Sequence, residues 1–380
     1  MKFATQTIHG GIAPDKDFGA IINPIYQTST YLQSAPGKYK KYDYTRAGNP
    51  NFESLEKTLA VLEQAKFGTI FSSGLGALTA IVSTLKSHDK VVAVNDLYGG
   101  TYRLFQKVFK QFGVELELID FQDLVLAKKR LTTRPKMIFL ESPTNPLLKI
   151  FDLKKILKLA KKYQVFSVVD NTFATPYFQN PLLLGADAVM HSTTKYIGGH
   201  SDVIGGAVLT NNRFFKEKMN FARMAIGLNP SPFDAWLTLR GLKTLSVRME
   251  KHQTNAMAVA KFLAANAKVK KVYYPGLQNH HNHQIAKGQM SGYSGIVSVE
   301  FKLPLDRVKK LISSFKLFAL AESLGGIESL VDHPASMTHA SIPREERIKM
   351  GLADGLVRLS VGLEDTADLI ADLKQGLAKV

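Results

Sequence analysis

The 380-residue chain contains no cysteine and a single tryptophan. Without thiols it can form no disulfide, no thiolate metal site and no cysteine nucleophile, so its chemistry must come from other side chains. No run approaches the roughly 18 uninterrupted apolar residues that a membrane helix needs. Met1-Lys2-Phe3-Ala4-Thr5-Gln6 leads into polar sequence rather than the apolar core of a secretory signal, so the expectation is a cytoplasmic protein without a membrane partner. Acidic residues are also scarce: 32 Asp and Glu face 49 Lys and Arg, a formal net charge of +17. Such an excess raises the question of an acidic partner such as nucleic acid. The basic residues are dispersed, however, in short groups such as Lys128-Lys129-Arg130, Lys154-Lys155, Lys161-Lys162 and Lys309-Lys310, with no long run carrying interleaved aromatics. That pattern reads as a solvated basic surface rather than a nucleic-acid footprint.

The length favours two domains, each with its own core. Residues 1–45 hold Pro14, Pro24 and Pro36 with Gly10, Gly11, Gly19 and Gly37 and show little periodicity, as an extended arm would. From Asn51, Phe52, Leu55, Leu59 and Leu62 recur at helical spacing behind an asparagine that can cap the helix. Short apolar runs then end at Phe71, Val94, Ile119, Leu140, Val169 and Met190, mostly separated by helical segments. Continuous apolar strands alternating with helices imply a parallel sheet covered on both faces, hence an α/β domain over 46–245. Beyond it, Val272-Tyr273-Tyr274, Ile296-Val297-Ser298-Val299 and Leu356-Val357-Arg358-Leu359 among helices read as a smaller α+β domain over 246–380.

In open parallel sheets ligands sit beyond the carboxyl ends of the strands. At such ends lie Gly74, Asn95-Asp96, Glu141-Ser142 and Asp170. Gly74-Leu75-Gly76, at a strand-to-helix turn, leaves backbone N–H groups free to hold a phosphate. The same residues half-match a dinucleotide fingerprint, with Thr79 where the third glycine belongs and Asp96 at a ribose distance. Asp170 ends a strongly apolar strand, so its carboxylate needs a cationic partner or hydrogen bonds, though a turn or N-cap role in Asp170-Asn171-Thr172 is the plain alternative. Lys195 lies among Ser192, Thr193, Thr194, Gly198 and Gly199, small neighbours that leave it room. A desolvated lysine amine has a lowered pKa and can form a Schiff base with an aldehyde; a structural lysine is the alternative. An aldehyde served by a lysine, a carboxylate for a ring nitrogen, a phosphate nest and an aromatic lid, here Tyr98, describes pyridoxal 5′-phosphate.

These residues resemble a known family, the pyridoxal-phosphate enzymes of cysteine and methionine metabolism, which includes cystathionine γ-lyase, γ-synthase and β-lyase and methionine γ-lyase. The resemblance spans nearly the whole chain. It is carried by Tyr44-Thr45-Arg46 with Gly48-Asn49-Pro50, Ser73-Gly74-Leu75, Tyr98-Gly99-Gly100-Thr101, Glu141-Ser142-Pro143-Thr144-Asn145-Pro146 and Val169-Asp170-Asn171-Thr172. The stretch around Lys195, Glu322-Ser323-Leu324-Gly325-Gly326 with Glu328-Ser329-Leu330, and Arg358-Leu359-Ser360-Val361-Gly362 complete it. It implies an aminotransferase-like, type I α/β fold with a mostly parallel central sheet.

The resemblance also implies roles. Lys195 would hold the cofactor and move protons, Asp170 would pair with the ring nitrogen, and Tyr98 would stack on the ring. Gly74, Leu75, Ser192 and Thr194 would bind the phosphate. Tyr44 and Arg46 would reach it from a neighbouring subunit of a homotetramer built from active dimers. Asn145, Ser329 and Arg358 would hold the substrate's α-carboxylate, Arg358 by a two-pronged grip. Glu328 and Asp43 would be the distal acids that separate γ-elimination from bacterial β-lyases.

The chain departs from the family at Asn51, where threonine is usual, and at Gly76, where alanine is usual; neither removes a functional side chain. Gly100 stands where methionine γ-lyases carry cysteine, which argues against that member. His280-His281-Asn282-His283 has no carboxylate at metal-ligand spacing and reads as an exposed loop, and His200 and Asp202 as support for the Lys195 loop. The leading expectation is γ-elimination of L-cystathionine. Asp43, shorter than the glutamate common in γ-lyases, keeps a γ-synthase as the alternative, and a β-lyase stands further off.

Overall fold

The computed structural model describes residues 1–338, 344–349 and 351–380. Among them, seven strands form the large sheet: β1 Phe67–Phe71, β2 Lys90–Val94, β3 Glu115–Ile119, β4 Met137–Glu141, β5 Phe166–Asp170, β6 Ala188–Ser192 and β7 Gly206–Thr210. Their spatial order is β1-β7-β6-β5-β4-β2-β3, and only β7 runs antiparallel to its neighbours. The apolar runs explain the burial: Val91, Val92, Ile138, Phe139, Val168, Val169 and Val189 are fully enclosed, because helices cover both faces. All central strands therefore present polar carboxyl ends, Glu141, Asp170 and Ser192, along one edge of the sheet.

A second sheet contains β8 Val269–Tyr273, β9 Ile296–Phe301, β10 Ala319–Leu320, β11 Leu330–Asp332 and β12 Leu356–Ser360, in the order β8-β9-β12-β11-β10. It is antiparallel except for the β10–β11 pair. The helix Leu245–Ala264 joins the two halves, placing Leu245 and Met249 in the core beside β1 and β7, and Val259 and Leu263 in the core of the second sheet. No helix among the described residues is long and apolar enough to cross a membrane.

The first 45 residues are less uniformly extended than expected. Phe3–His9 is helical, buries Thr7 and sets Phe3 edge-on to Tyr177 at 5.0 Å. Gln33–Ala35 and Lys38–Tyr39 pair as a small hairpin. The segment between is open, with Phe18 93% and Leu32 94% exposed. The next helix, Pro50–Leu62, is capped by Asn49 rather than Asn51: Asn49 Oδ1 accepts the Asn51 N–H at 2.9 Å, and Pro50 fills the first helical position, where its missing N–H costs nothing.

Candidate active site

A cavity of about 370 Å³ opens at the carboxyl ends of β4, β5 and β6. Gly74, Leu75, Tyr98, Glu141, Asn145, Asp170, Ser192, Thr194, Lys195 and Arg358 all line it, so residues from six separate stretches of sequence converge as expected.

Its phosphate end is built by a close approach of backbone. Ser73 caps the helix Gly74–Val82 by accepting the Gly76 N–H at 2.8 Å. A Cβ on Gly74 would lie 2.8 Å from Ser192 Cβ, so only glycine lets this turn meet the Ser192 strand end and keep the space an anion needs. Thr194 donates its hydroxyl to Gly205 O at 3.2 Å and accepts the Gly205 N–H at 3.0 Å, which fixes the turn leading to Lys195.

In the middle of the cavity two buried carboxylates stand side by side, since Glu141 and Asp170 are register partners on β4 and β5. Burial raises the Asp170 pKa, and the Thr172 hydroxyl and N–H donated to Oδ1, at 2.5 and 3.0 Å, together with the charge of His191, oppose the rise. Glu141 is pushed well above the usual carboxylate range by burial and then by Asp170; it accepts the Tyr98 N–H at 3.2 Å. A cation placed against Asp170 would offset this desolvation.

Lys195 Nζ donates to Ser323 Oγ at 2.8 Å. Burial, followed by the nearby Arg358 charge, lowers its pKa to about 8, with Glu322 acting in the opposite direction. Arg358 is 2% exposed. It donates to Asn145 Oδ1 and to Ser323 O, each at 2.9 Å, and lies 3.4 Å from Asp332 Oδ2. Its Nε–H, also buried, has no hydrogen-bond partner among the described residues. An unpaired buried donor on a guanidinium is a site for an anionic oxygen.

Two expected substrate residues fall elsewhere. Ser329 is fully buried and occupied: it donates to Glu364 Oε2 and accepts the Gly362 N–H, both at 2.8 Å. Glu328 accepts from Ser201 at 3.0 Å and does not line the cavity. The cavity instead takes Glu322 and Ser323, from the first copy of a Glu-Ser-Leu triplet repeated six residues later. The discriminating signal was present in the sequence. Only the first copy precedes a glycine pair, and Gly325, at φ +76°, lets that loop pack against the Tyr196 backbone next to Lys195. Asp332, Thr101 and Thr172, also at or beside the cavity, carried no motif-level signal.

Tyr44, Arg46 and Asp43 do not line the Lys195 cavity of their own chain. Arg46 donates to Met224 O at 2.8 Å, and Tyr44 is 45% exposed beside a separate surface hollow. The Asp43 carboxylate accepts the Tyr44 N–H at 2.7 Å. Asp96 is buried and accepts the Thr144 hydroxyl at 2.5 Å, so it is closed to a ribose. The histidine cluster is not an exposed loop throughout: His280 Nε2 bonds Leu148 O and His283 Nδ1 bonds Pro275 O, and burial lowers the His280 pKa to about 4. His200 Nδ1 bonds Gly198 O at 2.8 Å, within the Lys195 loop.

Residues 4–378 match the family described as "Cys/Met metabolism PLP-dependent enzyme". The chain belongs to that family. Its cofactor is pyridoxal 5′-phosphate, and its fold is the type I fold of these enzymes. It is 49% identical to cystathionine gamma-lyase of Dictyostelium discoideum, over 100% of this chain and 98% of the relative. To cystathionine beta-lyase of Lactococcus lactis subsp. cremoris it is 48% identical, over 99% and 98%. The crystal structure of cystathionine gamma synthase from Xanthomonas oryzae pv. oryzae in complex with cystathionine superposes with a TM-score of 0.97 at 43% identity, covering 100% of this chain and 98% of that one. Three reactions thus occur at similar distance, and the pocket must carry the choice among them. The residues present fit the cofactor: a glycine-made anion cradle, a buried carboxylate short of a cation, and a lysine whose amine burial makes easier to deprotonate.

Proposed function

We propose that this enzyme catalyses γ-elimination of L-cystathionine with water to give L-cysteine, 2-oxobutyrate and ammonia. The observation that carries the reading is Glu322, an acid on the wall of the Lys195 cavity across from the Arg358–Asn145 pair. Cystathionine has an amino-acid group at each end of its thioether. Arg358 and Asn145 hold the near α-carboxylate, and the Glu322 carboxylate attracts the far ammonium, so the γ-carbon side of the thioether stays in register with Lys195.

Gly74, Leu75, Ser192 and Thr194 would hold the cofactor's phosphate, Asp170 would face its ring nitrogen and Tyr98 would cover the ring. Pyridoxal 5′-phosphate, when bound, supplies an electron sink for charge left at the substrate's Cα. The Lys195 amine takes the proton from Cα and then from Cβ, and a thiolate leaves from Cγ as cysteine. Ser323, accepting no proton itself, orients that amine through its 2.8 Å hydrogen bond. Tyr44 and Arg46 would complete the phosphate site of a neighbouring subunit in a homotetramer, and Asp43 would travel with them. The short Asp43 side chain favours the second reading, a γ-synthase that joins an acylated homoserine to cysteine. A cytoplasmic setting suits both.

Product analysis is the test. Cystathionine is expected to yield 2-oxobutyrate and cysteine in clear excess over pyruvate and homocysteine. Glu322→Tyr should move the ratio toward the second pair, while Glu328→Tyr should leave it unchanged. Predominant pyruvate from the unaltered enzyme would mean β-elimination. Faster turnover of an acylated homoserine with cysteine than of cystathionine would mean the synthase.

A further inference from the structure

Directly behind Asp170 lies a polar group that the reaction does not touch. His191 follows Met190, the register partner of Asp170, on β6, and is 1% exposed. Its Nε2 is 3.6 Å from Oε1 of Glu63, whose side chain is also 1% exposed, at the end of the helix Pro50–Leu62. Glu63 Oε1 in turn accepts the Asn171 amide at 3.0 Å, and Asn171 is clamped by Gln179 through two bonds of 2.8 and 3.0 Å. Among the described residues neither ring nitrogen of His191 nor Glu63 Oε2 has a hydrogen-bond partner.

A neutral imidazole and a carboxylate left this dry would each carry an uncompensated desolvation cost. Charge pairing across Glu63, His191 and Asp170 removes that cost for all three. A buried ionic set of this kind adds little stability over apolar side chains of the same volume, so packing alone does not account for it. The charged groups facing this cluster are Glu63 from the helix end, Asp170 on β5 and, beyond Asp170, Glu141 on β4.

We propose that His191 is a positioning residue for Asp170, supplying the positive charge that keeps this carboxylate ionised toward the cofactor's ring nitrogen, with Glu63 holding the imidazole from behind. The proposal rests on the reading of Asp170 as the ring-nitrogen partner. It makes the cofactor's hold depend on two residues that never touch it.

A double-mutant cycle on cofactor affinity, measured by titrating apoenzyme with pyridoxal 5′-phosphate and following Trp236 fluorescence, separates the two claims. His191→Gln should weaken binding about tenfold when Asp170 is intact, the order expected when a buried partner of a ligating group is lost. In an Asp170→Asn background, where no carboxylate remains to be screened, the same change should cost less than about twofold. Equal weakening in both backgrounds, or none in the first, would overturn the proposal by reducing His191 to packing. If Asp170→Asn alone leaves affinity unchanged, the reading of Asp170 itself is wrong. Should His191→Gln lose its native circular dichroism, Glu63→Gln, which preserves shape, is run through the same cycle. Weakening that requires Asp170 supports the relay, and weakening independent of Asp170, or none, overturns it.

Discussion

Lys195 loses hydration as it enters the cavity, and Arg358 adds a second positive charge nearby; both disfavour its ammonium form and bring the pKa down to about 8. A lysine with a lowered pKa is neutral above that value and charged below it. Attack on the cofactor's aldehyde needs the neutral amine, so the rate of cofactor uptake by apoenzyme should rise with pH through a midpoint near 8. Stopped-flow absorbance across a pH series checks this; a midpoint near the ordinary lysine value of 10.5 would mean that the amine is solvated. The residues legible in advance were those with distinctive neighbours: Lys195 among small residues, Asp170 at the end of an apolar strand, Gly74 at a turn. The repeated Glu-Ser-Leu triplet was not legible by motif, because both copies have the same chemistry and only the loop's path past Tyr196 brings Glu322 and Ser323, rather than Glu328 and Ser329, into the cavity. His191 gave no signal either, since a histidine's role depends on what the neighbouring strand and helix present to it.

At the level of elements, the parallel strands were readable because burial on both faces demands unbroken apolar runs, and their polar ends marked the site. The arm was harder. Its helix Phe3–His9 is too short for periodicity to register, and it is held by tertiary contacts such as Phe3 on Tyr177. The arm's exposed Tyr44 and Arg46 have a consequence that subunit mixing can expose. Arg46→Ala and Lys195→Ala homo-oligomers should each be nearly inactive. Mixed oligomers should regain activity, because some sites then combine an intact arm with an intact lysine. No recovery after demonstrated subunit exchange would remove Arg46 from the neighbouring subunit's site.

Across the whole molecule, the central sheet supplies Asp170, Glu141 and Ser192, the helix Gly74–Val82 an anion cradle, and the second sheet Arg358, while Lys195 follows β6 and Ser323 precedes β11. One cavity draws on both halves of the chain, so substrate grip and proton transfer depend on the same packing between them. The chain carries 49 Lys and Arg, many exposed, and any exposed lysine can react adventitiously with an aldehyde. The decisive measurement is therefore to reduce the cofactor-loaded enzyme with borohydride, digest it, and locate the pyridoxyl group by peptide mass spectrometry. The account predicts one modified peptide, carrying the label on Lys195. A stoichiometric label on any other lysine would contradict it.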